Sequence, residues 1–214
     1  MLYTILVIYL KIIAHRGNDG FYRENSLKGI LWCLEKEYVD GVEFDVRMTK
    51  DRCFVLNHDP FYRGLFINYT LSKKLIKNGL DSLENVLNMI KTDKLLLVEV
   101  KIESSIKKTA KYLFKLLKRY NLNIYVCSFN YDFINYFSHK YSYKCGLIIG
   151  RKINKKFIKN FFDFNMISYK YKGKIPNKET FFWTVNNVND IKNDYQNIIT
   201  DKPKEIYNYL INKF

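Results

Sequence analysis

The chain has 214 residues, 48% hydrophobic and 27% charged, which excludes a disordered segment and leaves room for one substantial core. Its formal charge is +15, from 36 Lys and Arg against 21 Asp and Glu, a balance that favours anionic partners, although the lysines are spread along an AT-rich-looking composition instead of clustered. Four cysteines (Cys33, Cys53, Cys127, Cys145) form no C-x-x-C pair, which argues against a zinc knuckle or a disulfide framework and suits a reducing, cytoplasmic compartment.

The opening Met1–Leu10 is apolar, but Lys11 interrupts it and the run is too short to span a bilayer. It lacks a basic start and a small-residue cleavage site, so it reads as a lead-in to the first strand, with peripheral membrane contact left open. Ile12–Arg16 ends strand one. Ser26–Lys36 follows as a helix, with Ser26 as N-cap and Leu27, Ile30, Leu31 and Leu34 on one face. Gly41–Thr49 is the second strand, Lys50–Arg52 a turn, and Cys53–His58 a strand that extends it. Pro60–Lys77 reads as irregular, and Ser82–Ile90 as a short capped helix. Leu95–Lys101 is the third barrel-type strand, and Ser105–Tyr120 the longest helix, with Ala110, Leu113, Phe114 and Leu117 inward.

Strands follow at Ile124–Phe129, Lys144–Gly150, Met166–Lys170, Thr180–Asn186 and Asn197–Thr200. Helical pieces at Tyr131–His139, Lys155–Phe162, Val188–Asn193 and Pro203–Asn212 separate or end them. About eight strands in β-then-α order predict an α/β fold: a single (β/α)8 TIM-type barrel over residues 1–214. An open doubly wound sheet is the alternative, but no G-x-G-x-x-G follows any strand. Two irregularities are expected: a short insertion after the second strand, and an abbreviated crossover before the seventh, where KYKGKIPNKE is too rich in Gly and Pro for a good helix.

Barrel enzymes carry their reacting groups at the C-terminal ends of the strands. His15 and Arg16 end strand one, Glu43 and Asp45 lie late in strand two, His58 ends its extension, and Glu99 and Lys101 end strand three. Residues two apart on a strand share a face, so Glu43 pairs with Asp45, and Glu99 with Lys101. Three carboxylates without a nearby Cys make an all-oxygen site suited to one hard divalent cation, Mg2+ or Ca2+. Arg16 and Lys101 suit a phosphate as fork and point charge, and His15 and His58 suit acid–base work. Each residue alone has a structural reading: a hydrogen-bonded strand-end histidine, a salt-bridged rim pair, a solvated edge. Their shared placement at strand ends favours the functional one.

The strings AHRG, EN before a small hydroxyl residue, EFDVRMTKD, HD, VEVK, WTVN and ITDKP occur in this order along nearly the whole chain. Together they resemble the glycerophosphodiester phosphodiesterase family. The resemblance implies a divalent-metal (β/α)8 barrel that hydrolyses small glycerophosphodiesters to glycerol phosphate and an alcohol. It implies His15 and His58 as the acid–base pair, Glu43, Asp45 and Glu99 as metal ligands, and Arg16 and Lys101 on the phosphate. It further implies that Glu24 and Asn25 buttress the site and that Trp183 walls its apolar side. Residues 60–80 look like a reduced form of the insertion that covers the site in larger members. Two rival expectations are a phospholipase acting at a membrane surface on the same barrel, and a non-catalytic basic module that binds phosphate. No nucleic-acid partner is expected, because carboxylates facing a phosphate backbone repel it.

Overall fold

The structure, a computed structural model, describes residues 10–150, 162–173, 178–192 and 195–213. The expected helix Lys155–Phe162 and the lead-in Met1–Leu10 lie outside the described residues, save Phe162 and Leu10. Along the chain run β1 (Lys11–Ala14), α1 (Leu27–Leu34), β2 (Gly41–Met48), β3 (Phe54–Leu56), β4 (Phe61–Tyr62) and β5 (Leu65–Phe66). Next come α2 (Ser72–Lys77), α3 (Leu83–Met89), β6 (Leu95–Lys101), α4 (Ile106–Leu117), β7 (Ile124–Ser128) and α5 (Tyr131–Lys140). The chain closes with β8 (Lys144–Ile149), β9 (Phe164–Ser168), β10 (Glu179–Trp183), β11 (Asn197–Thr200) and α6 (Pro203–Lys213).

β1, β2, β6, β7, β8, β9, β10 and β11 pair in parallel, and β11 returns to β1, so the sheet closes into an eight-stranded barrel with β3 added antiparallel on β2. Each strand is apolar on both faces because both are covered. Ile13, Leu97, Cys127, Ile148, Phe164 and Phe181 fill the barrel interior. Val42, Phe44, Leu96, Val98 and Val126 point the other way, into the layer shared with Ile30, Leu113 and Phe133 of the helices. Burying a side chain of this size contributes about 1.5–3 kcal/mol. Gly146 makes room inside the barrel: a Cβ there would lie 2.3 Å from a ring carbon of Phe164.

Alternation then decides where polar residues go. In β2 the outward set is Val42, Phe44 and Val46, so Gly41, Glu43, Asp45 and Arg47 face inward. In β6 the inward set begins with Leu95 and Leu97 and ends with Glu99 and Lys101. The register sets Asp45 beside Glu99 and Arg47 beside Lys101. Apolar residues occupy the lower part of the interior and charged residues its C-terminal mouth.

Several boundaries differ from the sequence expectations. β1 stops at Ala14, and His15–Gly17 form a 3-10 turn, so His15 and Arg16 stand just beyond the strand. The extension of strand two is only three residues long, and the expected helix Val188–Asn193 shows, in its described residues 188–192, one 3-10 turn at Val188–Asp190, Asn193 lying outside the described residues. Residues 60–77 are not irregular. They form the β4–β5 hairpin, a 3-10 turn at Ile67–Tyr69 and α2, closed by Ile67, Leu75 and Leu80 packing on Val55. These contacts come from scattered apolar positions that carry neither a helical nor a strand period, which is why the pattern looks irregular. Between β9 and β10 the described residues carry no helix, as expected for an abbreviated crossover.

Candidate active site

The turn after β1 is shaped to deliver two groups at once. Arg16 lies in the left-handed region (φ 54°), where a bulky residue is uncommon and held only by its surroundings. Its backbone N–H donates to Glu43 Oε2 at 3.0 Å, and its carbonyl accepts from Asn25 N–H at 2.8 Å. Asn25, also left-handed (φ 52°) and buried, makes a reciprocal pair with Asp45. Its Nδ2 donates to Asp45 Oδ2 at 2.8 Å, and its Oδ1 accepts from Asp45 N–H at 2.8 Å. Glu24 accepts from Arg16 Nη1 at 2.9 Å. Glu24 thus touches the Arg16 cation and Asn25 the Asp45 carboxylate, contacts consistent with the buttressing that the resemblance implies for both.

Glu43, Asp45 and Glu99 are 1%, 1% and 7% exposed, and each offers an oxygen within 4.8 Å of the others. Three anions so close cannot all remain ionised out of water unless positive charge intervenes. Burial, followed by the charges of Asp45 and Glu99, pushes the Glu43 carboxyl well above the usual range. Burial and Asp45 raise Glu99 to about 7. Burial would also raise Asp45, but Lys101, Asn25 and Arg16 outweigh it and hold Asp45 low. Lys101 Nζ lies 2.9 Å from Asp45 Oδ1 and is ion-paired with Glu99. Burial opposes its charge, yet the two carboxylates raise it.

Three of the residues lining the cavity at this mouth carry a buried atom without a hydrogen-bond partner: Glu43 Oε1, Trp183 Nε1 and Arg16 Nε, the last 3.6 Å from Asp45 Oδ2, and the first and last are complementary. Glu43 Oε1 is an acceptor aimed into the cluster, and Arg16 Nε a donor at its edge. A buried polar atom left unpaired costs about 1–3 kcal/mol, so each marks a place for a ligand group. An all-carboxylate donor set with an orphaned oxygen fits a hard divalent cation, and Glu43, Asp45 and Glu99 could hold one.

The histidines flank this cluster. His15 Nε2 points toward Glu43 Oε2 at 3.9 Å, and its Nδ1 lies 2.7 Å from Asp201 Oδ1. A carboxylate only accepts, so the ring proton sits on Nδ1 and Nε2 is left free toward the cavity. His58 stands on the opposite, more exposed rim, with Nδ1 2.9 Å from Asp59 Oδ1. Its backbone carbonyl accepts from Arg47 Nε at 3.0 Å, and Arg47 is in turn paired with Glu103. His15, Arg16, Glu43, His58, Glu99 and Lys101 all line one cavity of about 100 Å³. Its apolar side is Ile148, Met166, Trp183 and Phe129, the last two edge to face at 5.6 Å.

Sequence reasoning missed Asp201, Asn186 and Phe129. Asn186 Nδ2 donates to Asp201 Oδ2 at 2.6 Å, and Asp201 N–H donates to Asn186 Oδ1 at 2.8 Å, which fixes the carboxylate against His15. Strand alternation was the available signal: Asn197, Ile199 and Asp201 share a parity, and β11 ends at the same mouth. Burial would raise Asp201, but the hydrogen bond from His15 and its charge outweigh it, so Asp201 is held low.

Fold and site together define a (β/α)8 barrel whose polar groups converge at the C-terminal mouth, the place where barrel enzymes carry their reacting groups. The glycerophosphoryl diester phosphodiesterase family model matches residues 15–83, the stretch that holds both histidines and two of the three carboxylates. A glycerophosphodiester phosphodiesterase of Caldanaerobacter subterraneus subsp. tengcongensis is 29% identical, over 92% of this chain and 96% of that protein. Among solved structures, a glycerophosphodiester phosphodiesterase from Parabacteroides distasonis superposes with a TM-score of 0.78 at 22% identity, covering 96% of this chain and 98% of that one. A phosphodiesterase from Oleispira antarctica, solved with the product sn-glycerol-3-phosphate, gives 0.78 at 18% identity, covering 96% and 98%. At those identities the two superpositions speak to the fold alone. The chain is thus similar to glycerophosphodiester phosphodiesterases in sequence and shares their barrel fold.

Proposed function

We infer that the chain is a phosphoric diester hydrolase that cleaves glycerophosphodiesters to glycerol phosphate and an alcohol, acting as one barrel domain with a bound Mg2+ or Ca2+. The observation that carries this reading is at the mouth: a buried carboxylate oxygen on Glu43 and a guanidinium N–H on Arg16, neither of them hydrogen-bonded, in one cavity lined by two histidines. A cation and an anionic oxygen satisfy both.

Glu43, Asp45 and Glu99 would hold the ion, which when bound supplies Lewis-acid charge to a phosphoryl oxygen. Arg16 Nε and Lys101 Nζ neutralise charge that grows on the non-bridging oxygens as the new P–O bond forms. One imidazole takes the proton of the attacking group, water or the neighbouring glycerol hydroxyl. The other gives a proton to the alcohol oxygen as the old P–O bond breaks. Asp201 keeps the His15 proton on Nδ1, so Nε2 is the atom that exchanges a proton with substrate. Trp183 and Phe129 exclude water from the apolar side of the cavity.

The test is metal-dependent release of glycerol phosphate across a small panel of glycerophosphodiesters. His15→Ala and His58→Ala should each abolish most turnover with the fold intact. Near wild-type hydrolysis of glycerophosphocholine by either variant would end the acid–base assignment, and full activity in excess chelator would end the metal assignment.

A further inference from the structure

The small unit between His58 and α3 has an outer surface that the reaction does not explain. Its inner side is apolar and closed: Ile67, Leu75 and Leu80 on Val55. Asp51 anchors it to the turn after β2, accepting from Ser72 N–H at 2.9 Å and from Ser72 Oγ at 2.7 Å. Its outer side carries Phe61, Phe66, Tyr69, Leu71 and Ile76, five of the eleven large apolar side chains exposed among the described residues. Phe66 is 57% and Tyr69 75% exposed. Three of the rings are contiguous, with Phe61 and Phe66 centroids 6.4 Å apart and Phe66 and Tyr69 6.5 Å apart. The loop after β1 meets this unit through Arg23, which donates to Gly79 O at 2.9 Å.

The charge of the unit is one-sided. Residues 60–80 contain Arg63, Lys73, Lys74 and Lys77 and not one Asp or Glu, although acids are frequent elsewhere in the chain. All four cations are exposed. A short surface that joins protruding rings and aliphatic side chains to four exposed cations, with acids only at its two ends in Asp59 and Asp81, is complementary to lipid acyl chains beneath anionic headgroups. A protein partner would need carboxylates and apolar pockets in matching positions. Nucleic-acid bases would stack on the rings but gain nothing from Leu71 and Ile76.

We propose that residues 60–80 form a docking surface for an anionic phospholipid bilayer, which holds the barrel mouth against the membrane. The surface begins two residues after His58, so docking brings the cavity to the headgroup level. This inference is independent of the reaction, and its test reads binding without turnover.

The experiment is sedimentation of the full chain with vesicles of phosphatidylcholine alone and of phosphatidylcholine with phosphatidylglycerol, at low and high salt. Binding is expected to the anionic vesicles and to weaken with salt. Each basic residue near such a surface contributes about fivefold in affinity, so Lys73→Glu with Lys74→Glu should lose at least about 25-fold. Phe66→Ser with Tyr69→Ser should also lower binding at unchanged salt dependence. The circular dichroism spectrum and urea-unfolding midpoint of both variants should match wild type, which separates loss of docking from loss of the fold. Absence of vesicle binding would overturn the proposal. So would equal binding to neutral vesicles, unchanged binding by the lysine variant, or tighter binding to a single-stranded oligonucleotide than to anionic vesicles.

Discussion

Asp201 is the most informative residue to perturb, because the structure fixes what its amide would do. Asn186 Nδ2 donates to Asp201 Oδ2 at 2.6 Å, while His15 Nδ1 donates to Oδ1 at 2.7 Å. In Asp201→Asn the amide of Asn186 still claims the one remaining oxygen, so the new NH2 is turned toward His15. Nδ1 must then accept, the ring proton moves to Nε2, and the atom facing the cavity can no longer take up a proton. The charge-assisted hydrogen bond that selects the present tautomer is worth about 1.5–3 kcal/mol, which corresponds to about a 10- to 150-fold loss of kcat. KM should change less, because Asp201 does not line the cavity. Asp201→Ala deletes the bond without reversing it and should cost less than the Asn variant. Steady-state kinetics with saturating divalent ion, together with nitrogen NMR of the His15 ring, measures both effects. Wild-type kcat in Asp201→Asn, or an unchanged ring tautomer, would refute the reasoning.

Two further outcomes follow from the interior. Glu99 titrates at about 7 in the fold against an ordinary 4.5, and Glu43 is raised as well, so the ion-free fold holds protons that the unfolded chain has released. The Glu99 contribution to stability is therefore complete below about pH 4.5 and is lost as pH rises through about 7, and the Glu43 contribution has the same sign. Cation binding must displace those protons, so affinity for Ca2+ or Mg2+ should climb between about pH 5.5 and about pH 8 with measurable proton release, and a pH-independent affinity in calorimetry would contradict the assigned ligands. Gly146→Ala forces a methyl group against the Phe164 ring inside the barrel and should destabilise by about 1–3 kcal/mol in urea unfolding, whereas an unchanged midpoint would mean the interior has slack there.

The barrel and most of its mouth were legible because strand parity is local. The pairs Glu43/Asp45 and Glu99/Lys101 announce a shared face within three residues of sequence, and the alternation of strand and helix sets the closure. Asp201 was hidden for the opposite reason. It stands 186 residues from His15, and although the string ITDKP contributes to the family resemblance, the partner of its carboxylate is defined only when β11 pairs with β1. The unit at 60–80 was hidden because its core is three apolar residues on one strand, too few and too irregularly spaced to make a period. The positive φ of Arg16 and Asn25 was equally invisible, because neither residue type demands it. Their neighbours impose it through the bonds to Glu43 and Asp45.

Whether the carboxylates serve a ligand or merely brace the rim can be decided at Glu43. In a brace, every charge would be matched, and Lys101 does match Asp45 and Glu99. Glu43 is the surplus: fully enclosed, raised by burial and by its two neighbours, with Oε1 unpaired. Glu43→Gln keeps an oxygen for the backbone N–H of Arg16 and places an amide donor toward Asp45 and Glu99, in place of a carboxyl whose charged form burial and those two anions oppose. The ion-free variant should therefore gain stability relative to wild type as rising pH ionises Glu43, while divalent-ion affinity and turnover collapse. Thermal unfolding with and without the ion reads both halves. A bracing role requires the reverse, a destabilised variant that still turns over substrate, so the two readings give opposite signs in a single experiment.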